Sequence, residues 1–151
     1  SAKRAFAKRA TSRSNCYPTP AATRAKMIRF LNSVSAGSYR GLASYQPGSR
    51  PTRTMTAEAL ACRYFLDLAP NQTLVDEATD FITGELPQAG TPNLYYWYYG
   101  TLAMFQVGGP AWTAWNAKMK HAVVDSMRRD GNFDGSSKDP VDSTGMRWHE
   151  R

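Results

Sequence analysis

Two acidic residues and an asparagine near the end of the 151-residue chain suggest a calcium site. Asp130, Asn132 and Asp134 place oxygen ligands at alternate positions, and Gly135 follows where a calcium loop turns sharply. The second half of the loop fails, because Val141 stands where such a loop has its bidentate glutamate. The sequence therefore predicts either an incomplete calcium site or a polar turn.

A second candidate site is an aromatic tract that begins at Leu94. Its rings and hydroxyl groups suit an apolar, polyene or sugar ligand, and core packing is the alternative. Glu58 is the first acid of the chain and a candidate acid or polar anchor, or else a first-turn glutamate that favours the helix dipole. The candidate ligand-binding residues are Tyr95, Tyr96, Trp97, Tyr99, Met55 and Glu58.

The thiols and imidazoles are too few for a structural zinc site, which takes four ligands at tight spacing. The two cysteines, Cys16 and Cys62, predict unpaired thiols. The two histidines, His121 on a predicted outer helix and His149 near the end of the sequence, are not placed beside Cys62. We therefore expect no cofactor, with calcium at the incomplete loop as the single candidate ion.

Positive charge is concentrated at the beginning of the chain. Residues 1–57 hold eleven Lys and Arg and no acid, whereas the remainder holds eight basic and twelve acidic residues. Such asymmetry is typical either of a segment that binds a polyanion or of a solvated basic flank. Residues 1–18 are predicted to form a basic N-terminal arm, and residues 19–151 a helical domain.

Periodic apolar residues predict five helices, over 19–37, 54–68, 73–84, 91–108 and 110–131, with a structured loop over 38–53. Thr19-Pro20, Thr73 and Thr91-Pro92 are the predicted helix starts. No apolar run approaches the roughly 20 residues that cross a bilayer. The chain is predicted to be all-α, without a transmembrane segment.

The predicted helices alternate in character. The first, third and fifth have one apolar face, whereas the second and fourth are apolar on both sides. Two concentric layers explain this pattern, because an inner helix packs against the outer layer and also faces a central space. The helices repeat at roughly 45 residues, a period typical of helical-hairpin repeats, which need neighbours to bury their faces.

Three stretches of sequence resemble the squalene-hopene cyclase and protein prenyltransferase superfamily. They are Gly41 to Gly48 leading into Thr54 to Leu60, the Met127 to Phe133 stretch, and the Asn93 to Thr101 tract, which is similar to uncharacterised bacterial members of planctomycete type. As a repeat match, the resemblance covers about residues 27–148. The resemblance implies an α/α toroid, and this chain would supply only part of the ring, with copies or a further segment completing it.

The sequence also departs from that family. The cyclases carry an Asp-rich motif just before a Thr-Ala helix start, but no acid precedes Thr56-Ala57 here. The zinc ligands of the prenyltransferases are not found either. We therefore expect a non-catalytic module that binds a protein partner, a second copy or an apolar small molecule through its aromatic inner helices. The alternatives are a cyclase-like or prenyltransferase-like enzyme whose acids lie outside this segment, and polyanion binding by residues 1–57.

Overall fold

The computed structural model describes residues 19–89 and 92–126. Within these ranges the elements are α1 (Ala21–Ser33), β1 (Ser35–Ala36), β2 (Leu42–Ala43), α2 (Arg53–Phe65), α3 (Gln72–Thr83), α4 (Leu94–Val107) and α5 (Gly109–Ser126). The prediction of a mainly helical chain is confirmed for these residues. None of the helices in the two ranges is both long enough and apolar enough to cross a membrane.

The chain divides into two compact units, with the boundary between Asn32 and Ser33. In the first unit, α1 begins directly after Pro20, whose carbonyl accepts from the backbone N–H of Arg24 at 3.0 Å. Proline suits this position, since its fixed φ is helical and it lacks a backbone N–H that would be left unpaired there. The start of α1 therefore agrees with the Thr19-Pro20 signal.

The second unit opens with a small antiparallel hairpin that the sequence patterns did not predict. Ser35 pairs with Ala43 and Ala36 with Leu42. The predicted first helix, to residue 37, is therefore too long, and the predicted loop over 38–53 contains a strand. Two-residue strands give no alternating pattern over several residues, which is the signal that sequence analysis uses.

Asparagine side chains, rather than the predicted threonines, begin two of the helices. Asn71 accepts from the backbone N–H of Leu74 at 2.8 Å to begin α3, and Asn93 accepts from that of Tyr96 at 2.9 Å to begin α4. The predicted starts at Thr73 and Thr91 were wrong by two residues. Asparagine competes well for this position, because its carbonyl oxygen accepts from the free N–H groups of the first turn.

Helices α2 and α4 pack against each other more extensively than any other pair in the described residues. α3 packs on α2, α5 packs on α4, and α3 and α5 also touch each other. The shared core consists of Ala57, Leu60, Ala61, Val75, Ala78, Ile82, Tyr96, Trp97, Ala103, Met104, Trp115 and Ala122.

Trp115 is the largest fully buried side chain, and its indole lies directly over Gly100. A Cβ atom at position 100 would overlap this ring, so the absence of a side chain brings α4 and α5 together. The indole Nε1 donates to Oγ1 of Thr101 at 3.0 Å, which satisfies the buried polar atom of the ring. The ring of Tyr96 meets the Trp115 ring edge-on, with 5.5 Å between centroids.

Candidate functional site

The aromatic tract of α4 divides between the core and the surface. Tyr96 and Trp97 are only 3% and 2% exposed, whereas Tyr98 is 60% and Phe105 is 45% exposed. Residues three, four and seven positions apart share one side of a helix, so Leu94, Tyr98 and Phe105 form a single exposed strip. The helix is apolar all round, but only one side of it is covered.

Helix α2 carries a matching strip. Met55, Glu58 and Cys62 are half-buried, and Phe65 at the end of the same side is 59% exposed. The opposite side of α2 contributes Ala57, Leu60 and Ala61 to the core. Tyr95, Tyr99 and Leu102 lie beside the α4 strip and are exposed or partly exposed. We use the name aromatic face for the two strips together with these three residues, so that its members are Met55, Glu58, Cys62, Phe65, Leu94, Tyr95, Tyr98, Tyr99, Leu102 and Phe105.

A hydrogen bond joins α2 and α4 within the aromatic face. The hydroxyl of Tyr95 donates to Oε2 of Glu58 at 2.9 Å. The Tyr95 and Tyr99 rings meet edge to face, with centroids 4.9 Å apart, and Tyr99 makes the same kind of contact with Tyr98 at 5.1 Å. The structure thus brings together Glu58, Tyr95 and Tyr99 of the predicted ligand-binding set.

Burial and the neighbouring Glu58 carboxylate both raise the pKa of two side chains on the aromatic face. The pKa of Tyr95 is raised, first by burial and then by its hydrogen bond to Glu58. The pKa of the Cys62 thiol is raised by burial and by the charge of Glu58, and Arg63 partly opposes this. Each of these groups is therefore held in its neutral form by its surroundings.

The two remaining aromatic members of the predicted set have structural contacts. The Tyr96 hydroxyl lies 2.7 Å from the carbonyl oxygen of Ile82, to which it donates, and 3.0 Å from that of Glu85. It ties the first turn of α4 to the end of α3. Trp97 is buried beside it, and its carbonyl accepts from Oγ1 of Thr101 at 2.7 Å. The side chains of Tyr96 and Trp97 lie in the core, away from any surface that a ligand reaches.

Sequence analysis did not single out Glu77, although its carboxylate organises the β1–β2 turn. The backbone N–H groups of Ser38, Tyr39 and Gly41 donate to it at 2.7, 3.1 and 2.8 Å. Gly37 has a φ of +86°, and a Cβ there would overlap the carboxylate. The pair of glycines at 37 and 41 was the available signal, but nothing local points from them to a residue in α3.

Arg53, one of the eleven basic residues before Glu58, is occupied within the fold. Its Nη1 lies 3.2 Å from the Glu85 carboxylate, its Nε donates to the Phe81 carbonyl at 3.1 Å, and its guanidinium lies 5.0 Å from the centroid of the Phe81 ring. This cation fastens the start of α2 to the end of α3. The basic arm over 1–18 lies outside the described residues.

The predicted calcium ligands Asp130, Asn132 and Asp134 also lie outside the described residues. Within 19–89 and 92–126, no three His, Cys, Asp or Glu side chains are grouped in a way that could hold a metal ion. A cleft of about 440 Å³ between the end of α3 and the side of α5 is lined in part by Glu85, Lys118, His121 and Asp125. It shares no residue with the aromatic face.

Comparison of the chain with protein-family models, with curated proteins and with solved structures gives no match.

Proposed function

We propose that the chain is a non-catalytic helical-hairpin repeat module of an α/α toroid, which binds an apolar ligand or a protein partner through the aromatic face. The observation that carries this proposal is the exposure of large apolar side chains on the two helices that otherwise form the centre of the core. Phe65, Leu94, Tyr98 and Phe105 are all at least 44% exposed. Contiguous exposed apolar surface marks binding sites in folded proteins.

The contacts between the helices support a two-layer arrangement for the module. α2 and α4 lie side by side, and their hairpin partners α3 and α5 also touch. The aromatic face lies on the α2 and α4 strips that these four helices leave uncovered. In a ring of such hairpins, that face would line the central space or meet the next repeat.

The chemistry of the face suits an apolar or aromatic ligand. Rings that meet at steep angles, 66° for Tyr95 with Tyr99 and 83° for Tyr98 with Tyr99, present both faces and edges to a bound group. The Glu58 carboxylate is the single acid of the face and offers one anchored acceptor beside the rings. A few placed polar groups among apolar walls are typical of small-molecule sites.

The test is binding of a neutral, polarity-sensitive naphthalene dye, read by its fluorescence. We expect saturable binding to the purified chain, weakened about tenfold in the double variant Tyr98→Ser with Phe105→Ser, because two exposed rings are lost. Tyr45→Ser is the matched control, since Tyr45 is similarly exposed but lies in the loop before α2. Equal binding by all three proteins would contradict the proposal.

Analytical ultracentrifugation of the same proteins tests whether a protein partner, here a second copy of the chain, binds the aromatic face. Concentration-dependent association of the wild-type chain that disappears in the double variant would identify a second copy as the occupant of the face. The proposal is overturned if the dye does not bind and the wild-type chain neither associates nor differs from the double variant.

A further inference from the structure

Glu58 presents a carboxylate that is not paired with a cation. Its Oε2 atom accepts from the Tyr95 hydroxyl at 2.9 Å. Among the described residues, no Lys, Arg or His nitrogen lies within 4.0 Å of this carboxylate, and the ion pair found there joins Arg53 and Glu85 instead. The charge of Glu58 is therefore not neutralised by any cation in these parts of the chain.

The aromatic face has no basic residue of its own. Helix α4, from Leu94 to Val107, contains no Lys, Arg, Asp or Glu. Glu58 is the single charged residue among the α2 members of the face. Arg63 also lies on α2, but it is buried and its Nη2 donates to the Ser35 hydroxyl at 2.6 Å. The face thus carries one negative charge, although the chain as a whole carries a net charge of +7.

Three tyrosine rings form a connected series that begins at this carboxylate. Tyr95 donates to Glu58, and the Tyr99 ring meets the Tyr95 ring at 66° with centroids 4.9 Å apart. The Tyr98 ring meets the Tyr99 ring at 83° with centroids 5.1 Å apart, and Tyr98 is largely exposed. The face of an aromatic ring attracts a cation that lies within about 6 Å of its centroid. Ring surface that attracts positive charge is therefore open to solvent beside an unpaired carboxylate.

This combination suits an organic cation better than a metal ion. A calcium ion takes about six to eight oxygen ligands. Within 19–89 and 92–126, no three His, Cys, Asp or Glu side chains are grouped in a way that could hold a metal ion. A substituted ammonium group needs one carboxylate, and its alkyl groups can lie against the faces of aromatic rings.

We propose that the aromatic face binds a small amphiphilic ammonium compound, with its substituted ammonium group between Glu58 and the tyrosine rings of α4. The ammonium group pairs with the carboxylate, whose Oε1 atom accepts no hydrogen bond from the described residues. The apolar tail lies over other exposed members of the face, such as Phe65 and Leu94. The inference rests on the proposed function, because it names the ligand class that the same face takes.

The test compares three ligands that share an eight-carbon tail and differ in the head group, namely octyltrimethylammonium, octanol and octanoate. Dissociation constants are measured by proton NMR titration of the terminal methyl signal of each ligand, at about 0.15 M salt. We expect octyltrimethylammonium to bind about tenfold more tightly than octanoate, with octanol between them. Because the net charge of +7 attracts octanoate at long range, this order would report the local carboxylate.

Three variants identify the groups that select the ammonium. Glu58→Gln should reduce the ratio of the octanoate to the octyltrimethylammonium dissociation constant from about ten to about one. Asp80→Asn makes the same change of charge at an exposed position on α3, outside the aromatic face, and should keep the ratio. Tyr98→Leu keeps an apolar side chain but removes a ring, so it should weaken octyltrimethylammonium about threefold and octanol less. Loss of the ratio in both acid variants, or in neither, would overturn the proposal.

These measurements also separate the ammonium site from the proposed function. Saturable binding of the neutral dye, together with equal affinities for the three ligands, would overturn the ammonium site and leave the aromatic face as an apolar binding surface. Absence of binding by the dye and by all three ligands would overturn both the ammonium site and the proposed binding of apolar ligands.

Discussion

The two glutamates Glu77 and Glu58 occupy helices of one compact unit but have opposite surroundings. Three backbone N–H groups from a distant turn donate to Glu77, whereas one tyrosine hydroxyl from a neighbouring helix donates to Glu58. A carboxylate has about four acceptor positions, so Glu77 is nearly saturated by the fold and Glu58 is not. The contact between Glu77 and the β1–β2 turn is therefore structural, whereas Glu58 on the aromatic face has acceptor capacity left for a ligand.

The largest expected effect is at Gly41, which allows the turn to approach α3. A Cβ atom at this position would overlap the backbone carbonyl oxygen of Leu74, and backbone cannot move aside cheaply. We expect Gly41→Ala to lower the free energy of unfolding by about 3 kcal/mol in urea titrations. Gly84→Ala is the control, because its new Cβ would meet atoms at ordinary distances of 3.4 Å or more. Similar losses in both variants would remove the special role of the turn.

The next effect is at Glu77 itself. Glu77→Gln removes the charge and one acceptor oxygen, so at least one of the three N–H groups loses its partner. We expect a loss of about 2 kcal/mol, together with faster amide hydrogen exchange at Ser38, Tyr39 and Gly41. If Glu77→Gln left the free energy of unfolding unchanged, Glu77 would contribute no more to stability than Glu58, and the contrast between the two carboxylates would be wrong.

On the aromatic face, Tyr95→Phe removes the hydrogen bond to Glu58 but keeps the ring. We expect a loss of less than about 1 kcal/mol at neutral pH, since Tyr95 is partly exposed and water can replace the bond.

The same substitution should change the stability of the chain at alkaline pH. The folded state raises the pKa of Tyr95 and so retains its proton longer than the unfolded chain. The stability that Tyr95 adds is complete below pH about 10 and is lost as the pH rises through the folded pKa. Urea midpoints of the wild-type chain should therefore fall more steeply above pH about 10 than those of Tyr95→Phe. Parallel curves would exclude a raised tyrosine pKa at this position.

The smallest effect on stability is expected for Glu58→Gln, which should change the free energy of unfolding by no more than about 0.5 kcal/mol. Its effect should be chemical instead. Glu58 raises the pKa of Cys62, so its neutralisation lowers that pKa and increases the thiolate fraction. Alkylation by iodoacetamide near neutral pH, measured by mass in a Cys16→Ser background, should become faster. An unchanged rate would show that burial alone controls the thiol.

Local patterns in the sequence predicted much of the helical framework. The five helices, the Pro20 signal and the stop of α3 at Gly84 follow from periodicity and helix-end preferences, which act within one or two turns. The two helices with apolar residues on both sides, α2 and α4, are also the pair that packs most extensively in the described residues. These features depend on near neighbours along the chain, so the sequence alone contains them.

Only the tertiary structure decided which aromatic residues of α4 are buried and which carboxylate is saturated. Tyr95 and Tyr96 are adjacent and chemically identical. Tyr96 is buried against residues of α3 and α5, whereas Tyr95 donates to Glu58, 37 residues away. Glu77 reaches donors 36 to 39 residues distant, and Arg63 reaches Ser35 28 residues away. Periodicity reports the side of a helix on which a residue lies, but the partner on that side is set by how the helices pack.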